Sequence, residues 1–369
     1  MLHRLREPEE VPRRVGFRAL TPSDVSHAPL VLLRRLMKIS NRVCFLVSLS
    51  LSILAWTLPN VSIAQQHNKL VRVGLIAFSR SDLRTDLEGS LIEGLRKRGY
   101  VEGYNLDFER RYADGNPDRV RQIAAELAGS NLDAIVTTCT PTTLVMKSET
   151  NSTPLVMASV SDPVGQKLIA SYSRPAGNIT GTASQFEELA PKMVELFHEA
   201  IPDITSMAVI VNPTNSVHKI FLKEMDTAAA SLKIRLTAVS IARADELLLA
   251  MDNIHRSNVG AVIVLPDDSF LFDLRPSIIQ QVSLSHLPSF FGLREAVEEG
   301  GLMSYGEDLR LSYSRVAYYL DRIVNGQKPT DLPVEQPTKF ELVVNRKTAK
   351  TLGIKLPPSL LVQADEVIE

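Results

Sequence analysis

Runs of β-branched and other apolar residues recur along the chain at short intervals, each followed by a stretch whose apolar positions fall three and four apart. The first block reads LVRVGLIAF (70–78), NLDFERRY (105–112), LDAIVTT (132–138), PLVMAS (154–159) and NITGTAS (178–184). Between these runs the spacing predicts helices over about 86–98, 117–129 and 141–149. A second block predicts a helix at about 187–200, SMAVIVN (206–212), a helix at about 216–231, IRLTAVS (234–240) and a helix at about 244–257. It closes with GAVIVLP (260–266), a helix at about 272–285 and LPSFFG (287–292). Strands alternating with helices predict parallel sheets covered by helices on both faces. Two such blocks of about 110 residues predict two doubly wound α/β lobes of like architecture, although no tandem identity is visible.

The tail differs in kind. GGLMSYG (300–306) and a long amphipathic helix at about 308–325 lead into NGQKPTDLPVEQPTKFELVVNRKTAKTLGIKLPPSLL, which lacks full strand–helix periodicity. Gly326, Pro329, Pro333 and Pro337 predict an extended segment, because proline fixes φ and removes a backbone donor. Such a segment can tie two lobes together.

Residues 37–64, MKISNRVCFLVSLSLSILAWTLPNVSIA, have the three-part layout of a secretory signal: Lys38 and Arg42, an uncharged apolar stretch, then small residues at Ser62 and Ala64. The serine-diluted stretch is short for a spanning helix, which needs roughly 20 apolar residues. Residues 1–36 mix seven arginines with Glu7, Glu9, Glu10 and Asp24, and read as an extension upstream of a start at Met37. The whole chain carries a formal charge of −1; removing the nine basic and four acidic residues of 1–64 leaves 32 Lys and Arg against 38 Asp and Glu, a charge of −6. An acidic exported protein is a poor match for nucleic acid. Cys44 falls in the leader, so Cys139 stands alone in the mature chain, without an internal disulfide or a cysteine metal cluster.

In doubly wound sheets, ligands bind beyond the carboxyl ends of the strands, where helix N-termini offer free N–H groups. Polar residues occupy those positions here: Ser79-Arg80-Ser81-Asp82, Thr137-Thr138-Cys139-Thr140, Ser161-Asp162, Asn212 to Asn215, and Asp267-Asp268-Ser269. Each loop also has an ordinary reading, since Thr140-Pro141, Asp162-Pro163 and Asn212-Pro213 set a capping side chain before a proline at a first helical position. Asp162, in SVSDPVG (159–165), is the sharpest case: a carboxylate at the end of an apolar run serves either as a cap or as a partner for a ligand ammonium. Asp267 and Asp268 offer the same chemistry from the second block. Phe78, Phe291 and Tyr305 fall at or near strand ends, with Tyr305, between Ser304 and Gly306, the best placed to stack on a ligand.

Signatures of catalysis are missing from the string: no G-x-S-x-G elbow, no G-K-[ST] phosphate loop, no H-E-x-x-H pair, and IAFSRSD where a dinucleotide turn needs glycines. His67, His198, His218, His255 and His286 are scattered mostly along helical patterns and read as core or surface residues.

The run GEDLRLSYSRVAYYLDRIVNGQKPTDLPVEQPTKFELVVNRKTAKTLGIKLPPSLLVQADEVIE (306–369), with DLEGSLIEGLRKRGYVEGYNLDFERRYADGNPDRV and SVSDPVG, resembles the ABC-transporter substrate-binding protein family that includes tryptophan-binding proteins. The similarity covers essentially all of 70–369, and the Pro-Val-Glu-Gln segment followed by the Asn-x-x-x-Ala-x-x-Leu-Gly-Ile element is highly specific. The resemblance implies a type I periplasmic-binding-protein fold: two α/β lobes joined by three crossing segments, with no enzymatic activity and no cofactor. On that template lobe 1 is 70–184 plus 308–326 and lobe 2 is 185–305 plus 330–369. It implies a small polar ligand, an amino acid or related zwitterion, near Ser79, Thr138, Cys139, Thr140, Asp162, Asn212, Asn215, Asp267 and Tyr305. It also implies a periplasmic monomer that hands its ligand to a permease with ATPase subunits at the inner membrane; a sensory protein docking onto a receptor kinase is the other reading. Thr138-Cys139 and FSRSD depart from the smaller residues usual in the family, so the ligand does not transfer from a relative.

Overall fold

A computed structural model describes residues 69–79, 85–267 and 270–369. The expected extension (1–36) and leader (37–64) lie outside the described residues, as do Arg80, Ser81, Asp82, Asp268 and Ser269. No helix among the described residues is long and apolar enough to cross a membrane.

Strands β1 (Val71–Ala77), β2 (Leu106–Tyr112), β3 (Ala134–Thr137), β4 (Leu155–Val160) and β5 (Ile179–Ala183) form a parallel sheet in the order β2-β1-β3-β4-β5. Helices α1 (Thr85–Arg96), α2 (Pro117–Gly129) and α3 (Thr140–Glu149) connect its first four strands. Both faces of β1, β3, β4 and β5 are buried, which is why these strands read as nearly unbroken apolar runs, whereas the edge strand β2, LDFERRY, is mostly half-buried. Val73, Leu75 and Ala77 of β1 point into one core with Leu87, Leu91 and Leu95 of α1. Ile76 points the other way, against Val120, Ile123 and Leu127 of α2.

After α4 (Phe186–Ala200) the second sheet is laid down by β6 (Ser206–Val211), β7 (Arg235–Ser240), β8 (Ala261–Val264), β9 (Ser289–Phe291) and β10 (Met303–Glu307). The helices between are α5 (His218–Ser231), α6 (Leu247–Arg256), α7 (Phe270–Leu284) and the short α8 (Arg294–Glu298). Then α9 (Leu309–Val324) returns to the first sheet, where Tyr313, Val316, Tyr319 and Leu320 join the core shared with α1. The Tyr100 hydroxyl donates to Asp321 Oδ1 at 2.9 Å and fastens that return.

The tail corrects one expectation. Instead of lacking strand–helix order, it forms β11 (Phe340–Asn345), α10 (Arg346–Thr351), α11 (Pro358–Gln363) and β12 (Glu366–Ile368). These complete a seven-stranded sheet, β12-β11-β10-β9-β8-β6-β7, in which β11 runs antiparallel to β10. The prolines that obscure this pattern lie before and after β11, and Leu342, Val343 and Val344 are buried as β-branched and apolar residues on a covered strand should be. The residues around Pro333 do form an extended segment. Thr180 Oγ1 donates to Leu332 O (2.7 Å), Glu335 N donates to Gly181 O (3.1 Å) and Ala183 N donates to Glu335 O (2.8 Å), so the segment lies along β5.

Candidate functional site

Connectivity brings the carboxyl ends of the two sheets together. β5 ends at Ala183 and α4, packed on the second sheet, starts at Phe186; β10 ends at Glu307 and α9, packed on the first, starts at Leu309. One residue spans at most about 3.6 Å, so links this short hold both carboxyl edges near the crossing. A direct contact closes the gap, with Ser159 Oγ of β4 donating to Glu307 Oε1 of β10 at 2.5 Å, both residues buried.

Ser159 is held for this role by local strain. β4 shifts register against β5 between Met157 and Val160, and Ser159 adopts φ +59°, a left-handed conformation costly for a side-chain-bearing residue. Its N–H donates to Thr182 Oγ1 at 2.9 Å, which compensates. Beside it, a cavity of about 240 Å³ is lined by Thr182, Glu307, Asp308, Ser312, Arg315 and Glu335, among others. Arg315 donates to both oxygens of Glu335 (2.7 and 2.6 Å), and that carboxylate holds the guanidinium above its ordinary value.

The first sheet presents Ser79 and the 138–140 turn, all buried. Thr138 Oγ1 donates to Ile76 O and Thr140 Oγ1 to Ser161 O, each at 3.4 Å. The Cys139 thiol lies in the apolar core, 3.3 Å from Thr142 Oγ1, so any part in binding falls to its main chain. Helix α3 begins at Thr140 with Cys139 as its cap, one residue earlier than expected, and no side chain caps it. By contrast, Asn116 caps α2 by accepting from Asp118 N and Arg119 N. An uncapped helix start facing the crossing suits a carboxylate ligand.

Asp162 caps no helix. Residues 163–167 form turns instead, and Asp162, at φ +44°, accepts from Gly165 N at 2.8 Å through Oδ1. The capping reading of Asp162-Pro163 is thereby set aside: Leu168 N and Ile169 N both return to Pro163 O, closing a compact loop.

Asn212, Asn215 and Asp267 come together at the tips of the second sheet, all buried. Asn212 Nδ2 donates to Asp267 Oδ2 at 2.9 Å, while its Oδ1 accepts from Thr214 N (3.0 Å) and Thr214 Oγ1 (2.7 Å). α5 begins at His218, within two residues of the expected start, and the Asn212 side chain closes a turn instead of capping a helix at Pro213. Asn215 accepts from Val217 N at 3.3 Å.

His218, read from sequence as an ordinary core or surface residue, staples these loops. Its Nδ1 accepts from Asn212 N at 2.9 Å, which puts the proton on Nε2, 3.2 Å from Pro266 O. Burial pushes its pKa down, and the nearby Asp267 carboxylate only partly opposes that. Tyr305 is half-buried and its ring centre lies 6.3 Å from that of Phe340, on the core side of β10. Phe291 and Asp267 share a cavity of about 20 Å³ with Phe272 and Arg275.

Sequence reasoning passed over Ser159, His218 and Glu307. Glu307 carries the same signal that singled out Asp162, a carboxylate at the end of a strand; His218 carries none, since its partners are backbone groups of two loops, one of them 48 positions away.

The profile of the ABC transporter substrate binding protein family matches residues 72–368. A "Tyrosine-binding protein" of Clostridioides difficile is 23% identical over 266 residues, 72% of this chain and 75% of that protein. Among solved structures, a conserved domain protein from Vibrio cholerae aligns with a TM-score of 0.76 at 28% identity, covering 81% of this chain and 100% of the other. An ABC domain from Streptococcus pneumoniae in complex with L-Trp aligns with a TM-score of 0.74 at 23% identity, covering 81% and 99%. The architecture is thus the two-lobed type I periplasmic-binding-protein fold.

Proposed function

The chain belongs to the ABC transporter substrate-binding protein family, and from that premise we propose that it captures an amino acid between its lobes and delivers it to a membrane permease driven by ATPase subunits. The observation that supports this reading is the Ser159–Glu307 contact, which joins a strand end of the first sheet to a strand end of the second. Lobe 1 is 70–184 with 308–326 and lobe 2 is 185–305 with 330–369. The protein acts as a periplasmic monomer after loss of its leader.

A relative named for tyrosine and a structural neighbour holding L-Trp support an aromatic amino acid as the solute. Its carboxylate goes to the uncapped start of α3, where N–H groups and the helix dipole favour an anion. Its ammonium goes to Asp162, and the Asn212–Asp267 pair closes from lobe 2. Contacts from both lobes exist only in the closed form, so solute raises the closed population by its differential affinity. The acidic groups bind; they do not act as acids or bases.

Isothermal calorimetry against L-tyrosine, L-tryptophan and L-leucine tests the reading. Binding of either aromatic amino acid is expected, with leucine weaker by at least about tenfold, or about 1.4 kcal/mol. Absence of heat with all three sinks it. Asp162→Asn keeps an acceptor for Gly165 N but removes the charge, so affinity should fall by at least about tenfold while the melting temperature holds.

A further inference from the structure

The Asn-x-x-x-Ala-x-x-Leu-Gly-Ile element, so specific in sequence, takes no part in the crossing. Asn345 caps α10 by accepting from Thr348 N (2.9 Å) and donates through Nδ2 to Val297 O (3.1 Å). Ala349 is buried beneath the helix. Gly353, at φ +70°, ends it: Gly353 N donates to Lys350 O (3.1 Å) and Ile354 N to Ala349 O (2.9 Å), the paired bonds of a Schellman stop. Every residue that defines the motif therefore shapes one short helix and its exit.

That helix walls an open groove of about 730 Å³. Arg346, Lys347, Lys350 and Lys355 stand along it, exposed, while the half-buried Ile354 and Leu361 offer it apolar surface. Arg346 is paired with Glu369, but Lys347, Lys350 and Lys355 have no ion pair among the described residues. Glu369, which directly follows β12, the outermost strand of the sheet, also lines the groove. Because β11 is antiparallel to β10, Asn345 lies at the edge of the sheet opposite Glu307, and the groove is remote from the crossing.

We propose that this groove docks an extended acidic peptide segment of a partner protein. Alternate carboxylates of the segment meet Lys347, Lys350 and Lys355, and intervening apolar side chains rest on Ile354 and Leu361. Concavity favours a peptide over a bilayer, since the apolar side chains line a groove and the cations ring it. Size favours a peptide over a lone inorganic anion. Being remote from the crossing, the occupant leaves solute binding free.

Fluorescence anisotropy of the full-length chain with a labelled, end-blocked peptide of alternating Glu and Leu tests this. Binding is expected at low salt, weakening by at least about tenfold at 0.5 M salt and in the double variant Lys347→Glu, Lys350→Glu. The matched Lys–Leu peptide should not bind. A Lys219→Glu, Lys223→Glu variant, altered on α5, should bind like the parent, and circular dichroism should show both variants folded. No binding of the acidic peptide, binding untouched by the α10 substitutions, or capture by phosphatidylglycerol vesicles in preference to the peptide overturns the proposal.

Discussion

Burial keeps the His218 ring neutral, and that state is tied to the geometry of the lobe 2 loops. An unfolded histidine takes up a proton near pH 6.5, whereas this ring does so only at lower pH. Between those two pH values the unfolded chain holds the extra proton, so this stability is fully present above about pH 6.5 and is lost as pH falls toward the folded value. Melting temperatures at pH 7.5 and 5.5 should therefore drop more for the parent than for His218→Phe. At pH 7.5 that variant should itself be less stable by about 1–3 kcal/mol, because Asn212 N and Pro266 O lose their partner. Equal pH slopes in the two proteins would rule the linkage out. Nothing local in VHKIF marks this histidine, since its burial and both its bonds depend on loops brought in from 212 and 266.

Among elements, the helix over 117–129 appears as the spacing predicts, because Asn116, Pro117 and the Val120–Ile123–Ala124–Leu127 stripe each lie within about one turn of the next. The strands of the two blocks likewise fall within a few residues of expectation, since burial of the central strands imposes apolar runs. β11 and β12 were illegible for the opposite reason: their pairing needs partners already in place. Close approach of β9 and β10 tests how tightly that second sheet is packed. A Cβ on Gly306 would stand 1.8 Å from Gly292 O, so Gly306→Ala should cost about 3 kcal/mol in denaturant titrations. Gly89, on α1, has nothing within 4 Å of its Cβ position, and Gly89→Ala should stabilise by about 0.5–1 kcal/mol. If both substitutions had the same sign, the packing described at the tips would be wrong.

For the whole molecule, the Ser159–Glu307 bond joins the two lobes where their crossing segments pass. Lobes that rotate about these segments move least there, so the bond should survive opening and closing. Ser159→Ala then lowers stability by about 1–3 kcal/mol, leaving a buried carboxylate short of a donor, yet changes solute affinity by less than about threefold. A large affinity change with intact stability would place the pair in the closing contact instead of the pivot. The same scale accounts for the pairing escaping notice even though Glu307 stands at a strand end as Asp162 does: its partner lies 148 positions away, and no local pattern links them.

The order of strands and helices, the two-block repetition and the polar strand ends at 79, 138–140, 162, 212–215 and 267 were written in the chain itself, because periodicity and capping act over a few residues. Which side chains at those ends already have partners was decided by tertiary structure alone. Asp162 turned to Gly165, Asn212 to Asp267, the Cys139 thiol into the core and Glu307 to Ser159 through contacts that exist only once distant loops have met.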